Sequence, residues 1–462
     1  MKPAAKADLL RSLRLSTAEG MMAMPIVTMA LPVNLVLTVL VTRVFQLSAP
    51  MIGLFSAAPF IANFLQIGVV ALLARWRPPK TLTVVSATLN LAAWIALGLL
   101  LPWIARLDRP VAARWLIAWF LVSSFFMAIA SVTWNSWIQE WVPLRIRGKY
   151  FGRRNGLVQL STLLFLLAAG WVLTQWPASV PAFQSIIFGS AAMRIVSLRW
   201  QWISPTRAPG PERGRGLPLV EQMGILRASR SFLLFIAFGA VWSFAAYCFG
   251  PFYQVFMFEP IGFTAWNVGV VSTLSQLGGV LSLPAWGQLL DRYGNKSVMI
   301  LSLILWQAQY FLWCFATPGN RVILYFLWTW AGATSAGFVL GQFTLLLKLI
   351  PEEAKDLAIG LNLAVTSLFA AAAPILGGWI LGHALARWHD ELAVYHACFL
   401  FQPILALSGA ALLLRVREPA ASPLSSVVGA MRNIRTLSGV LGLSFLVNYL
   451  FFRAPAPSTR ER

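Results

Sequence analysis

Twelve stretches of mostly apolar residues, each long enough to cross a hydrocarbon layer, take up nearly all of the chain between residues 20 and 415. They fall at 20–45, 49–74, 81–104, 114–139, 156–176, 181–203, 231–256, 265–290, 297–316, 321–347, 357–385 and 394–415. A spanning helix needs ~20 such residues. With no water in the bilayer to satisfy backbone N–H and C=O groups, a run of this length must form a helix. At 58% hydrophobic and 11% charged residues, the chain carries more apolar surface than a water-soluble core can hide. The expected fold class is an all-α membrane protein of twelve transmembrane helices.

The placement of charge orients those helices. The formal net charge of +21 invites a nucleic-acid reading, but the bases do not form a patch. With the N-terminus in the cytoplasm, all 36 Lys and Arg fall on the cytoplasmic side except Arg43, Arg106, Arg109, Arg114, Arg321 and Arg387. That asymmetry is the positive-inside rule, and it puts both termini in the cytoplasm. The expected partner of the bases is anionic lipid headgroups, with no nucleic acid required. Cys248, Cys314 and Cys398 fall inside the apolar stretches, where they act as small apolar residues. The first stretch is too long for a signal-peptide core and shows no small-residue cleavage site, so it is expected to remain attached.

The chain is also duplicated. At an offset of 216 residues Gly53 meets Gly269, Ser56 meets Ser272 and Lys80 meets Lys296. The later copy is the turn Gly287, Asp291, Arg292, Gly294 and Lys296, whereas the earlier one carries Arg75 for the aspartate and Pro78 for the glycine. At an offset of 208, Pro143 meets Pro351 and Gly152 meets Gly360. Here the first copy reads Glu140, Pro143, Arg147, Gly148, and the second has Lys348 in place of the acid, followed by Glu352 and Lys355. Between the copies lies 204–230, rich in Pro, Gly and Arg, which reads as a cytoplasmic linker. The resulting order is a cytoplasmic N-terminus (1–19), a six-helix bundle (20–203), the linker (204–230), a second bundle (231–415) and a cytoplasmic tail (416–462).

The patterns G-x-x-x-D-R-x-G-x-K and E-x-x-P-x-x-x-R-G resemble signatures of the major facilitator superfamily of secondary transporters. The resemblance implies two pseudo-symmetric six-helix bundles and transport of a small molecule by alternating access about a site near the bilayer midplane. The expected location is a bacterial inner membrane, and the expected state a monomer. No cofactor or metal is implied. Helix 4 lacks the R-x-x-x-G-x-G pattern of many drug antiporters, which argues against that branch.

In these turns the charges can pair across neighbouring helix ends: Asp291 with Lys348 or Lys355, Arg292 with Glu352 or Glu353, and Glu140 with Arg75, Arg77 or Lys80. A pair that forms in one access state and parts in the other biases their equilibrium. The resemblance further implies that helices 1, 4, 7 and 10 line the cavity. These offer Asn34 and Thr38; Ser124, Ser131, Trp134 and Asn135; Trp242 and Tyr247; and Trp330, Thr334, Gly337 and Gly341. Rings, amides and hydroxyls suit a neutral or amphipathic organic solute. The same residue types also pack membrane helices and fill interfacial belts.

No carboxylate lies at mid-span, which leaves facilitated diffusion, coupling through Glu19 or Glu140, or ion binding by neutral oxygens. Arg194 is the deepest base and is expected to snorkel to the cytoplasm, the alternative being an anion-binding role. His383, His389 and His396 lie within fourteen residues but match no zinc spacing. Leu424, Val427, Val428, Met431, Ile434 and Leu441 recur at helical spacing against Arg432, Asn433 and Arg435, predicting an amphipathic helix on the cytoplasmic leaflet. The alternatives are a non-transporting scaffold or delivery protein of the same fold, and an intramembrane enzyme; H-E-x-x-H and G-x-S-x-G are both absent.

Overall fold

A computed structural model describes residues 3–73, 76–205, 217–418 and 422–440. The described residues are helical, with turns between. Pro3–Met29 (α1) is followed by Leu35–Val39 (α2), which runs on as a π turn through Val44, and then by Ala49–Leu73 (α3), Pro79–Ile104 (α4) and Arg109–Trp141 (α5). Leu144–Gln175 (α6) and Val180–Ile203 (α7) come next. Leu219–Ala228 (α8) leads into Arg230–Cys248 (α9), Phe252–Phe258 (α10), Ala265–Tyr293 (α11) and Asn295–Ala308 (α12). The rest comprises Ile323–Leu349 (α13), Lys355–Arg387 (α14), Glu391–Phe399 (α15), Phe401–Leu414 (α16), Leu424–Ala430 (α17) and Ile434–Val440 (α18). Proline opens several of them, at Pro79, Pro110 and Pro181, where a missing N–H costs nothing.

Among the described residues, eleven helical segments are long and apolar enough to cross a membrane, and Leu35–Val44 is a shorter twelfth. The sequence expectation differs at the first span. The stretch 20–45 is two helices: α1 begins at Pro3 and stops at Met29, and the chain resumes at Leu35. Pro32 cannot continue a helix, and Asn34 stabilises the break. Its Nδ2 donates to the carbonyls of Met29 (2.9 Å) and Leu31 (2.8 Å), and its Oδ1 accepts the N–H of Leu37 (2.9 Å).

The linker expectation is refined in the same way. Residues 206–216 lie outside the described residues, but α8 is helical, with Leu226 fully buried and Leu219 exposed. The tail also departs from expectation. It forms two short helices, and Val427 and Val440 are buried against Trp286, Leu289, Leu290, Val298 and Leu301 of α11 and α12. Its apolar stripe meets protein there. The apolar run after Val440 lies outside the described residues.

The chain packs as two compact units, one of Met1–Leu219, Gly239–Val270 and Asp356–Cys398, the other of Val220–Phe238, Val271–Lys355 and Phe399–Arg462. Within the first unit the duplicated glycines have equivalent work. Gly53 of α3 crosses α14 with its Cα 3.2 Å from where a Cβ on Gly378 would lie, and any side chain at Gly53 would collide with the Pro374 carbonyl. Gly269 of α11 crosses α6, where a Cβ would stand 3.0 Å from the Leu166 carbonyl. Small residues at such crossings let helix backbones touch.

Candidate functional site

In the first unit the apolar helices α1, α6 and α7 bring three ionisable side chains together inside the bundle. Glu19 of α1, Arg154 of α6 and Arg194 of α7 are each under 10% exposed. The carboxylate lies 3.6 Å from an Arg154 Nη2 and 3.7 Å from an Arg194 Nη1. Its short contacts are to neutral donors: Gln201 Nε2 donates at 2.6 Å and the Ser197 hydroxyl at 3.2 Å. Arg194 in turn donates to Ser197 at 2.9 Å. Arg154 donates Nε–H to the Ser16 carbonyl (3.3 Å) and lies over the Trp134 ring at 4.5 Å, a cation–π contact.

The expectation that Arg194 snorkels is overturned. A buried carboxylate and a hydroxyl sit within reach of its guanidinium, and pairing inside the bundle replaces escape to the headgroups. Beside the three charges is a cavity of about 190 Å³, with Glu19, Trp134, Arg154, Arg194 and Gln201 in its wall and Met24, Val27 and Met127 supplying apolar surface.

Of the residues expected to meet solute, the structure brings Ser131 and Trp134 to this cavity. Asn34 spends its amide on the α1–α2 break. Thr38 is buried on α2. Asn135 is exposed and donates to the Ser131 carbonyl. Tyr247 packs on Phe60, ring centres 4.3 Å apart. Trp242 is buried on α9. In the second unit Trp330 donates Nε1–H to the Leu305 carbonyl (3.0 Å), and the Thr334 hydroxyl bonds back to the Trp330 carbonyl.

The signature turn belongs to the second unit. Gly287 lies within α11 and Gly294 between α11 and α12 at φ +89°, a backbone conformation that side chains disfavour. The turn exposes the first N–H groups of α12, and Glu418 accepts them. Its carboxylate takes the N–H of Lys296 (2.7 Å), the N–H and side-chain amide of Asn295 (3.1 and 2.8 Å) and the Lys348 ammonium (3.0 Å). Lys296 donates its ammonium to the Val416 carbonyl, and Thr344 of α13 donates to Asn295. Burial raises the pKa of Glu418, but the Lys296 and Asn295 N–H groups and the Lys348 ammonium together outweigh it and hold the carboxyl below its usual value.

The pairings expected of Asp291 and Arg292 are therefore different in this structure. Lys348 is held by Glu418, whose position at a helix N-terminus offers several donors at once. Lys355 pairs locally with Glu352 at 3.6 Å, and Arg292 lies over the Tyr293 ring. Asp291 is exposed, with no ion pair among the described residues. In the other motif Pro143 starts α6, and Arg147 donates to the carbonyls of Gln139 and Val142, closing the end of α5. Gly148 follows within α6. Glu140 is half-buried, while Lys80 bonds the Ser204 carbonyl and approaches the Trp137 ring. Arg75 lies outside the described residues.

His383 packs against Trp379 with the rings tilted, and His396 lies against Phe256. Reading the sequence missed Glu418, Arg154, Ser197 and Gln201. Nothing marks Glu418 except its place just past the last span.

A repeated set of apolar helices with charged turns defines a multi-pass α-helical membrane protein. The sequence profile of the Major Facilitator Superfamily matches residues 239–457. Known structures share the fold over most of the chain. The nucleoside transporter NupG superposes with a TM-score of 0.66 at 15% identity, over 88% of this chain and 98% of that one. A D-xylose–proton symporter superposes with a TM-score of 0.68 at 13% identity, over 90% and 99%. A bacterial homologue of the human lysosomal transporter Spinster, inward-facing and unoccupied, gives 0.60 at 14% identity, over 99% and 100%. A benzoate transport protein of Acinetobacter baylyi (strain ATCC 33305 / BD413 / ADP1) is 31% identical over 118 residues, 26% of this chain. The chain spans about a quarter of the length of that relative. The chain shares the twelve-helix fold of these transporters, and the superfamily profile covers a little under half of it.

Proposed function

We propose that the protein is a secondary transporter that moves a small organic solute across a bacterial inner membrane by alternating access, as a monomer with both termini in the cytoplasm. The observation that carries this reading is the cavity beside Glu19, Arg154 and Arg194: a largely apolar recess with buried charges in its wall, inside helices that otherwise face lipid or one another. Ionisable groups at such depth are costly to keep and mark solute or ion paths. The backbone crossings at Gly53 and Gly269 support the motion, because helices that touch with little side-chain interlock can shift without repacking. The division into bundles 20–203 and 231–415 about 204–230 is part of the proposal. The relatives are named for a nucleoside, D-xylose and benzoate, all small organic solutes.

Flux of such solutes in proteoliposomes of the purified protein is the test. Absence of flux for every solute that binds would favour the scaffold reading. The orientation has its own check. Cysteine introduced at Asp108 will label only from outside, and cysteines at Gly210 and Ser458 only from the cytoplasm; labelling of Ser458→Cys from outside would reverse the tail. For the signature turn, Asp291→Asn should reduce flux severely while the amount of folded protein is unchanged, since Asp291 is exposed and holds no packing contact of weight. Wild-type flux in that variant would make Asp291 an ordinary surface charge.

A further inference from the structure

We infer that the cavity on α1, α5, α6 and α7 binds a small organic anion, a monocarboxylate with an apolar body, held by Arg194 and Arg154. The inference rests on the transporter reading and names the solute class of the same site.

Charge comes first. Two guanidiniums and one carboxylate leave the cluster at +1, inside a membrane helix bundle. An uncompensated buried charge is strongly unfavourable, so a compensating anion stabilises the site. Glu19 does not saturate the arginines. Charge-assisted N–H···O bonds close to ~2.7–2.9 Å, whereas both guanidiniums stand at 3.6–3.7 Å from the carboxylate. The tight bonds to Glu19 come from Gln201 and Ser197. Donor capacity remains. Nε of Arg194 is buried and has no hydrogen-bond partner, although the side chain is only 5% exposed. A second carboxylate could take it.

Shape and lining then limit the anion. A volume of about 190 Å³ is the liquid volume of about six waters, room for a short chain or a single ring. Met24, Val27 and Met127 offer apolar, adaptable contact, and Trp134 offers a ring whose other neighbour is Arg154. An ionised head against the arginines with an apolar body against these residues satisfies both walls. This selects the amphipathic branch of the sequence expectation over the neutral one, and the buried position of Arg194 is the reason.

The test uses full-length protein in lipid nanodiscs and benzoate as the probe, with benzamide as its uncharged isostere. Benzoate should raise the melting temperature in a saturable way and benzamide should not. Arg194→Gln should weaken benzoate by about tenfold or more, the worth of one hydrogen bond to a charged group. Glu19→Gln, which takes the cluster to +2, should strengthen it. Opposite directions in two neighbouring variants separate a charge effect from damage to the fold. Equal binding of benzoate and benzamide to the wild type, or no binding of benzoate, would overturn the anion reading even if neither variant folds. Flux assays keep the two readings apart: transport of a neutral solute with no benzoate binding overturns only the anion site, while benzoate binding with no flux of any solute overturns only transport.

Discussion

Glu19→Ala will be the most damaging single change in the first unit, lowering stability by about 3–5 kcal/mol, the usual cost of removing one partner from a buried ion pair. Alanine leaves Arg154 and Arg194 facing each other across a space that the carboxylate had neutralised, and it frees Gln201 and Ser197 from their acceptor. The two arginines differ in what they can do next. Arg154 also borders a groove on α1 and α6 shared with Arg14, Arg153 and Tyr150, so its guanidinium has a route toward headgroups. Arg194 is enclosed on α7. Adding Arg194→Leu to Glu19→Ala should therefore recover a large part of the loss, and adding Arg154→Leu less. The measurement is the melting temperature of purified variants, combined as a double-mutant cycle. Additive losses in both double variants would mean that the three side chains do not form an electrostatic unit.

The fold was legible because the bilayer leaves so few choices. Length and apolarity define the spans, and the repeat of Gly53 at Gly269 reappears as two equivalent backbone crossings. Gly294 announced its turn, since a left-handed backbone between an acid-base pair and a lysine is a glycine's position. The first span misled because its hydropathy continues across a break that Pro32 and Asn34 make locally.

The site was less legible, for a reason of distance along the chain. Glu19 and Arg194 each stood out as a lone charge in an apolar run, yet 175 positions separate them, and no periodicity on either helix reports that α1 and α7 meet at that height. Read alone, each was assigned the behaviour of an isolated charge. Arg154 was hidden among the bases of a cytoplasmic turn. Only packing shows that its side chain turns inward over Trp134.

Glu418 was the least visible and carries the second large expected effect. Its partners Asn295, Lys296 and Lys348 lie 70 to 123 positions away. Glu418→Gln keeps the shape but offers one acceptor oxygen in place of two and removes the charge, so at neutral pH it should cost about 1–3 kcal/mol. Lys348→Met should cost less than ~1 kcal/mol, because the lysine is 55% exposed and water screens its share. The sign of the pH dependence follows from the depressed pKa of the folded carboxyl. Below its ordinary value of 4.5 the unfolded chain takes up the proton first, so the stabilisation is complete above that pH and disappears as pH falls through the lower folded value. Wild type and Glu418→Gln should accordingly differ most at pH 6–7 and converge under acid, read as the protection of the α12 amides from hydrogen exchange. Equal protection of the two at every pH would show that the segment after α16 holds the signature turn by packing of Val427 and Val440, with the carboxylate adding nothing of its own.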